Sequence, residues 1–568
     1  MRVKLLTLCL IFCSASYGQI AMNQLGFYSR APKKAAVTVE PDVNEFTIVT
    51  EEGKEVFKGK LSEPIHSRNS SLTICQADFS PVEIPGKYRL KAGNRESEIF
   101  TIGDHVLNDV AKAVLKGFYY QRSSEPLEEK YAGRWARPAG HPDTQVEIHP
   151  SAATQQRPAG TIIASPGGWY DAGDYNKYIV NSGITTATLL SAYEDFPSYF
   201  QQLEVNIPET GNGIPDLLNE ILYNLRWMLT MQDPNDGGVY HKCTNASFDG
   251  MVMPGVTRTP RYVVQKSTAA TLDFTAVMAQ ASRVFKQFPK ELPGLADSCL
   301  SAAQQSWNWA LQYPDSLYNQ QAMNRRFEPP ITTGEYGDNR LDDEWFWASV
   351  EMYAATLEPS YKVKAKEYLN DKWQIPDWKQ VYMLGVYTLL RIKEPEFTPD
   401  FSEKLIAMAD RFTDSMSTNA FGTVMGRDSS DFIWGSNSLA ANQGILLIQA
   451  YRLTKDIKYL DAALSNADYL LGRNATGYCF VTGFGSKRVM HPHHRPSVAD
   501  GIDDPVPGLL SGGPNPGMQD HCNYPFTEPE TAYIDVSEAY ASNEIAINWN
   551  APAVYLFNAI EAEQAGWK

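Results

Sequence analysis

The segment Gly167-Gly168-Trp169-Tyr170-Asp171-Ala172-Gly173-Asp174-Tyr175 places two carboxylates three residues apart on a glycine-rich loop. Glycines permit tight backbone turns. Two carboxylates beside one water could both accept its protons and fix its direction. The neighbouring aromatic residues could form a platform for a sugar ring. The same pattern also suits a calcium loop or a cluster of Asx turns. A third acid, Glu544, stands in Ala539-Tyr540-Ala541-Ser542-Asn543-Glu544-Ile545-Ala546-Ile547-Asn548-Trp549, a single carboxyl amid apolar and aromatic residues. Such surroundings disfavour the charge and raise a carboxyl pKa, which a general acid needs near neutral pH. The alternative is a helix N-terminal glutamate stabilised by the macrodipole. A proton donor together with a water-activating carboxylate is what hydrolysis of a glycosidic bond requires. The cluster His491-Pro492-His493-His494-Arg495 could ligate a metal, or could meet sugar hydroxyls and tune nearby carboxylates. Its spacing matches no His-Glu-x-x-His helix, and Pro492 opposes a regular helix. Substrate contact is therefore the favoured reading.

These residues need a scaffold. Residues 19–103 read as all-β: short apolar runs at Ala35–Val39, Phe46–Val49, Val56–Leu61, Tyr88–Lys91 and Ile99–Ile102 are separated by turn signals at Glu52-Gly53 and Gly93-Asn94. That spacing predicts a small β-sandwich. From about residue 106 the periodicity becomes helical. In 215–232, Pro215 suits the first helical position, and Leu218, Ile221, Leu222, Leu225, Met228 and Leu229 share one face. The segment 267–288 repeats the pattern, and about a dozen such segments continue to 551–564. They predict a toroid of paired helices. Long loops at 121–183, 233–266 and 476–537, rich in Gly, Pro, His and aromatics, would form a cleft at one end. The stretch 121–166 is expected to wall off one end of it.

The 568 residues suit one small and one large domain. The net charge of −16 opposes nucleic acid or an anionic membrane as partner but is silent on a neutral polysaccharide. Arg2 and Lys4, the short apolar run Leu5–Phe12, and small Ser16 and Gly18 predict a signal peptide over 1–18 and export of the chain, with lipidation at Cys13 the alternative. No later segment is expected to span a membrane. Of the seven cysteines five then remain, scattered and odd in number, which excludes a disulfide framework.

Taken in order, the motifs resemble glycoside hydrolase family 9, in the type that carries an N-terminal immunoglobulin-like domain. The resemblance covers nearly the whole mature chain. It includes Ala21-Met22-Asn23-Gln24-Leu25-Gly26-Phe27, the Asp-Ala-Gly-Asp loop, Gly211-Asn212-Gly213-Ile214-Pro215-Asp216, Trp434-Gly435-Ser436-Asn437, Val481-Thr482-Gly483-Phe484-Gly485, His491–Arg495, Pro507-Gly508-Leu509-Leu510 and Asn543-Glu544. It implies a mainly α fold, an (α/α)6 barrel over 104–568 after an immunoglobulin-like β-sandwich over 19–103. It implies inverting, endo-acting cleavage of a β-1,4-glucan, or a relative preferring xyloglucan or mixed-linkage glucan. Asp174 would be the general base, Asp171 its partner in holding water, and Glu544 the general acid. His493 and Arg495 would contact the sugar, with further contacts from Trp434, Tyr540 and His241. No catalytic cofactor is implied. Asp343 and Glu344, in Gly337-Asp338-Asn339-Arg340-Leu341-Asp342-Asp343-Glu344, would ligate a structural calcium, although an acidic helix N-terminus needs no ion. Relatives can hold zinc with a Cys after Gln-Arg and a Cys-His pair. Here Ser123 follows Gln121-Arg122 and Gly140 precedes His141, so zinc is not expected.

Overall fold

The computed structural model describes residues 20–38 and 42–564. The expected signal peptide, its cleavage near Gly18 and the Cys13 alternative lie outside the described residues.

The N-terminal unit is a sandwich of two sheets. One has the strand order Ile20–Ala21, Lys34–Val37, Thr73–Asp78, Ile65–His66. The other runs Gly26–Tyr28, Phe100–Gly103, Gly86–Ala92, Glu45–Thr50, Glu55–Lys60. Alternating side chains fill the space between them: Phe27, Phe79 and Phe100 meet edge-on or tilted at 5.1–5.6 Å beside Phe46, Ile48 and Leu90. Gly93 turns the chain at φ +59°, but the partner across this turn is Arg95–Glu96. Phe100–Gly103 pairs instead with Gly86–Tyr88 further along.

Twelve helices of nine or more residues follow among the described residues. The inner six are Ile179–Asp195, Thr268–Phe285, Asp342–Thr356, Tyr382–Arg391, Ser436–Thr454 and Ile547–Gln564. They are buried on almost every face, which is why they are apolar nearly all round. The last packs on the first, and each of the first three packs on the next; the outer helices fill between them. This is the (α/α)6 barrel. Helix Asp216–Thr230 is an outer member: Leu218, Ile221, Leu222, Leu225 and Met228 are buried and Arg226 is exposed. Pro215 stands at its N-cap rather than inside the first turn.

Away from their N-terminal ends four of the inner helices are tied by buried Asp195, which accepts hydrogen bonds from Arg391 Nε (2.8 Å), Gln449 Nε2 (2.7 Å) and Tyr555 OH (2.6 Å). Their N-terminal ends open on the loops that carry Asp171, Tyr336, Trp378, Trp434 and Glu544. The functional end is thus the end where each inner helix begins.

The sandwich is fastened to the barrel by polar and apolar contacts. Tyr28 OH donates to buried Glu561 (2.5 Å), Asn23 Nδ2 to Asp468 (2.8 Å) and Asn69 Nδ2 to the Gly426 carbonyl (2.8 Å), while Ala36 and Ile74 pack on Ala420 and Phe421. Five short strands, absent from the sequence reading, join two of the long loops in one sheet: Ile162–Ile163, Val146–Ile148, Arg261–Val263, Lys242–Asn245 and Lys177–Tyr178. The last of these follows the Asp171/Asp174 loop directly.

Candidate active site

Gly167 and Gly168 start the carboxylate loop with φ near +78°, a region open to glycine. The indole of Trp227 fills the space where a Gly168 side chain would stand. Lys177, fully buried, holds the loop base: its Nζ donates to the carbonyls of Ser165 (3.0 Å) and Gly167 (2.7 Å) and pairs with Asp143 at 2.8 Å. Trp169 and Tyr170 are buried beneath the loop, Trp169 with its Nε1 toward Glu220. They are core and cannot be the sugar platform that their position suggested, because the turn at the two glycines points them into the barrel.

Backbone contacts stitch this loop to the Glu544 segment. Ile547 N donates to the Asp171 carbonyl (2.8 Å), Gly512 N to the Glu544 carbonyl (2.8 Å) and His493 N to the Asn543 carbonyl (2.9 Å). Gly173 lies where a Cβ would overlap the His493 carbonyl. Its own carbonyl accepts from Arg495 N (3.2 Å) and Nη1 (2.7 Å).

The three carboxyls have different surroundings. Asp171 has both oxygens engaged, Oδ1 by Asn181 Nδ2 (2.6 Å) and Oδ2 by Tyr336 OH (2.7 Å). Burial and then the charge of Asp174 push its carboxyl far above the usual range. The protein donors to Asp174 all fall on Oδ2: Asn176 Nδ2 at 2.5 Å and Tyr178 OH at 3.2 Å, with Asn176 N at 3.3 Å. Glu544 accepts at Oε1 from Gly173 N (3.2 Å), and burial, reinforced by the Asp174 charge, raises it well above an ordinary glutamate. A proton held at Glu544 and an open carboxylate oxygen at Asp174 can act on opposite sides of one scissile bond.

All three line a cleft of ≈ 840 Å³. His493, Arg495, Trp434 and Tyr540 line it too. Tyr540 stands between Trp434 (5.6 Å between rings) and His493 (5.9 Å). His493 Nδ1 donates to the Ser537 carbonyl (2.6 Å), which leaves Nε2 as the acceptor in the neutral ring that burial favours. His241 is elsewhere. It is fully buried, stacked on Tyr318 at 3.9 Å, with Nδ1 at Ser267 Oγ (2.8 Å) and Nε2 at the Glu335 carbonyl (2.8 Å). The expected sugar contact from His241 is therefore corrected: it braces the wall from behind.

The histidine cluster does not converge. His494 is buried between Ser497 and Gln121, and among the described residues no three His, Cys, Asp or Glu side chains stand arranged to hold a metal. No residue of 121–166 lines this cavity; Ser123, Ser124 and His141 lie under the loop. The Ser123 hydroxyl donates to the Gly167 carbonyl (2.8 Å) and His141 Nδ1 meets Tyr170 OH (2.9 Å).

The sequence reading missed Tyr178, Tyr336, Phe248, Trp378 and Trp549, all on the cleft. Tyr178 and Trp549 follow Asp174 and Glu544 by four and five residues, a signal that was available. Phe248 and Trp378 belong to other loops and carry none.

Asp343 and Glu344 begin an inner helix behind this wall. With Asp273 and Asp338 they form a buried acidic group. Both oxygens of Asp273 and one of Asp338 have no hydrogen-bond partner, and Glu344 meets only the carboxyl of Asp343. Burial and mutual repulsion raise Asp273 and Glu344 well above the usual carboxyl range. Unpaired buried carboxylates are unfavourable unless protonated or met by a cation, and hard oxygen donors suit calcium.

Known proteins bear on this arrangement. Residues 108–557 match the model of glycosyl hydrolase family 9, and 15–97 that of the cellulase N-terminal ig-like domain. The chain is 47% identical over 551 residues to the xyloglucan-specific endo-β-1,4-glucanase BoGH9A of Bacteroides ovatus, covering 96% of this chain and 94% of that one. It is 32% identical over 549 residues to endoglucanase D of Acetivibrio thermocellus, covering 94% and 82%. The solved structure of a Bacteroides ovatus family 9 hydrolase superposes with a TM-score of 0.92 at 45% identity, covering 96% of this chain and all of that one. With the barrel, the sandwich before it and the acids at its open end, the chain belongs to glycosyl hydrolase family 9.

Proposed function

We propose that this hydrolase cuts the β-1,4-glucan backbone of a xyloglucan-type polymer mid-chain, with inversion at the anomeric carbon. One observation carries the mechanism: Asp171 has both oxygens occupied, Asp174 has its donors on one oxygen only, and Glu544 is buried where it keeps a proton. Asp174 is then the base and Asp171 the group that holds the water beside it. The water oxygen bonds to C1 as the C1–O bond breaks. The water's proton passes to Asp174, and the proton of Glu544 passes to the departing oxygen. Attack from the face opposite the leaving group yields the α-anomer. The xyloglucan preference is supported by the 47%-identical relative of that specificity. The open cleft with Phe248, Trp378 and Trp434 on its walls supports a long chain lying through it.

The test is turnover of xyloglucan, soluble cellulose and mixed-linkage glucan, with product lengths and the anomer by NMR. Xyloglucan is expected to be the best substrate, with mid-chain products and first-formed α-anomer. Equal rates on unbranched cellulose would remove the xyloglucan reading, and a first-formed β-anomer would remove the mechanism. Asp174→Ala and Glu544→Gln are each expected to lose most activity while folded.

Three further readings belong to the same proposal. Asp273, Asp338, Asp343 and Glu344 are not preset around an ion and would have to draw together on a structural calcium, which would neutralise the buried acids and stiffen the entry to one inner helix. The chain is exported to its polymer; no helix among the described residues is long and apolar enough to cross a membrane. The sandwich supports the barrel rather than binding glucan, so deleting it should lower stability before it weakens binding to insoluble substrate.

A further inference from the structure

We infer that Asn176 is a positioning residue that orients the base: it clamps Asp174 Oδ2 and so presents Oδ1 to the attacking water. The inference rests on Asp174 being the base. Asn176 is buried and reaches Asp174 twice, through Nδ2 (2.5 Å) and through its backbone N (3.3 Å). Its amide cannot turn over. The side-chain oxygen accepts from Asn245 N (2.9 Å), Thr244 Oγ1 (3.0 Å) and Arg261 Nη1 (3.4 Å). Reversal would set Nδ2 against the two N–H donors of Asn245 and Arg261 and an oxygen against a carboxylate, losing those contacts at once. The second donor, Tyr178 OH, is directed the same way, because its oxygen accepts from Gly334 N (3.1 Å) and its proton is left for Asp174 (3.2 Å). Asp171 shows the contrast: its two donors divide between its two oxygens, so each is fixed by one protein donor and keeps one lone pair for the water, while Asp174 Oδ1 has no protein donor at all. The arrangement assigns one carboxylate to chemistry and the other to support. Thr244 and Asn245 sit on the short strand that pairs with Lys177–Tyr178, so the small sheet, rather than the loop alone, sets the angle of the base.

The test uses Asn176→Ala and Asn176→Asp beside Asp174→Asn and Glu544→Gln. Asn176→Ala removes the donor outright; Asn176→Asp has the same shape and keeps acceptor contacts to Asn245 and Arg261, but sets a second carboxyl against Asp174, with which it shares a proton, so the limb of the kcat–pH profile that reports the base should move to higher pH. Both Asn176 variants are expected to lose kcat by about 100-fold, the effect of a base displaced by about 1 Å. KM on a cello- or xyloglucan oligosaccharide should stay within about twofold, because ground-state binding is untouched. A β-cellobiosyl fluoride separates base from acid, since fluoride leaves with little help from a proton donor. Glu544→Gln should recover on the fluoride, while the Asn176 variants should be as impaired on it as on the glycan. Wild-type kcat in Asn176→Ala, an unmoved base limb in Asn176→Asp, or recovery of the Asn176 variants on the fluoride would overturn the inference. Full activity in Asp174→Asn would instead overturn the assignment of the base.

Discussion

Gly173 offers a sharp test of how the acids are held together. Its φ is not in the left-handed region, so an alanine there is conformationally allowed and its effect is steric alone. A Cβ would overlap the His493 carbonyl oxygen, and would stand 2.8 Å from His493 Cδ2 and 3.0 Å from the carbonyl carbon, where ordinary contact begins at 3.4 Å. Neither partner yields cheaply. The His493 backbone is hydrogen-bonded to Asn543, next to Glu544, and its ring to Ser537. The loop carrying Asp171 and Asp174 must therefore move from the segment carrying Glu544 by about 1 Å, a shift that costs about 100-fold in rate when it separates reacting groups. Overpacking also costs about 1–3 kcal/mol of stability. Gly211→Ala is the control: Gly211 sits at φ +87° with nothing within 4 Å of a Cβ. That change should cost about 1 kcal/mol in strain and nothing in turnover. The assay is kcat on a xyloglucan oligosaccharide with Tm for both variants. Gly173→Ala with wild-type turnover would refute the claim that this contact sets the distance between the acids.

Four other outcomes are expected. Burial and the Asp174 charge raise Glu544, and only its protonated form can act; kcat/KM should fall as pH rises through that raised value, and the limb should be absent in the residual activity of Glu544→Gln. Trp434, 42% exposed on the cleft, should serve as a sugar platform, so Trp434→Ala should raise KM about 3- to 10-fold with kcat nearly unchanged, as steady-state kinetics would register. Removing calcium with a chelator should lower Tm. Restoring it to about 100 times its Kd should return about 2.7 kcal/mol, and Asp273→Asn should blunt that response in a thermal-shift series. His241→Ala should leave KM unchanged and destabilise the fold by about 1–3 kcal/mol, because Ser267 and the Glu335 carbonyl lose their partner.

That Asp171, Asp174 and Glu544 are candidates, and what architecture carries them, was legible in the amino-acid sequence because both are local signals. Asp171 and Asp174 lie three residues apart on a glycine loop, Glu544 stands alone in an apolar run, outer helices such as Asp216–Thr230 repeat at 3.6 residues, and the inner ones read as long apolar runs. The glycines at 167 and 168 marked a turn correctly. Their consequence for Trp169 and Tyr170 was misread, since only the turn's direction in space says whether an aromatic faces solvent or core. His241 failed for the same reason: a histidine's neighbours in sequence do not report that Ser267 and Glu335 will close on both its nitrogens.

Tertiary structure decided the rest. It divided two like carboxylates into a capped Asp171 and a half-open Asp174, through Asn181, Tyr336, Asn176 and Tyr178. It brought Glu544 within a hydrogen bond of Gly173 across 371 residues. It gathered Asp273 with Asp338, Asp343 and Glu344 behind the wall. Residue type and spacing determine which groups are able to do chemistry. Which oxygen is free, which acid keeps its proton and which aromatic meets the polymer depend on burial and on donors from distant segments, and these exist only once the barrel has closed.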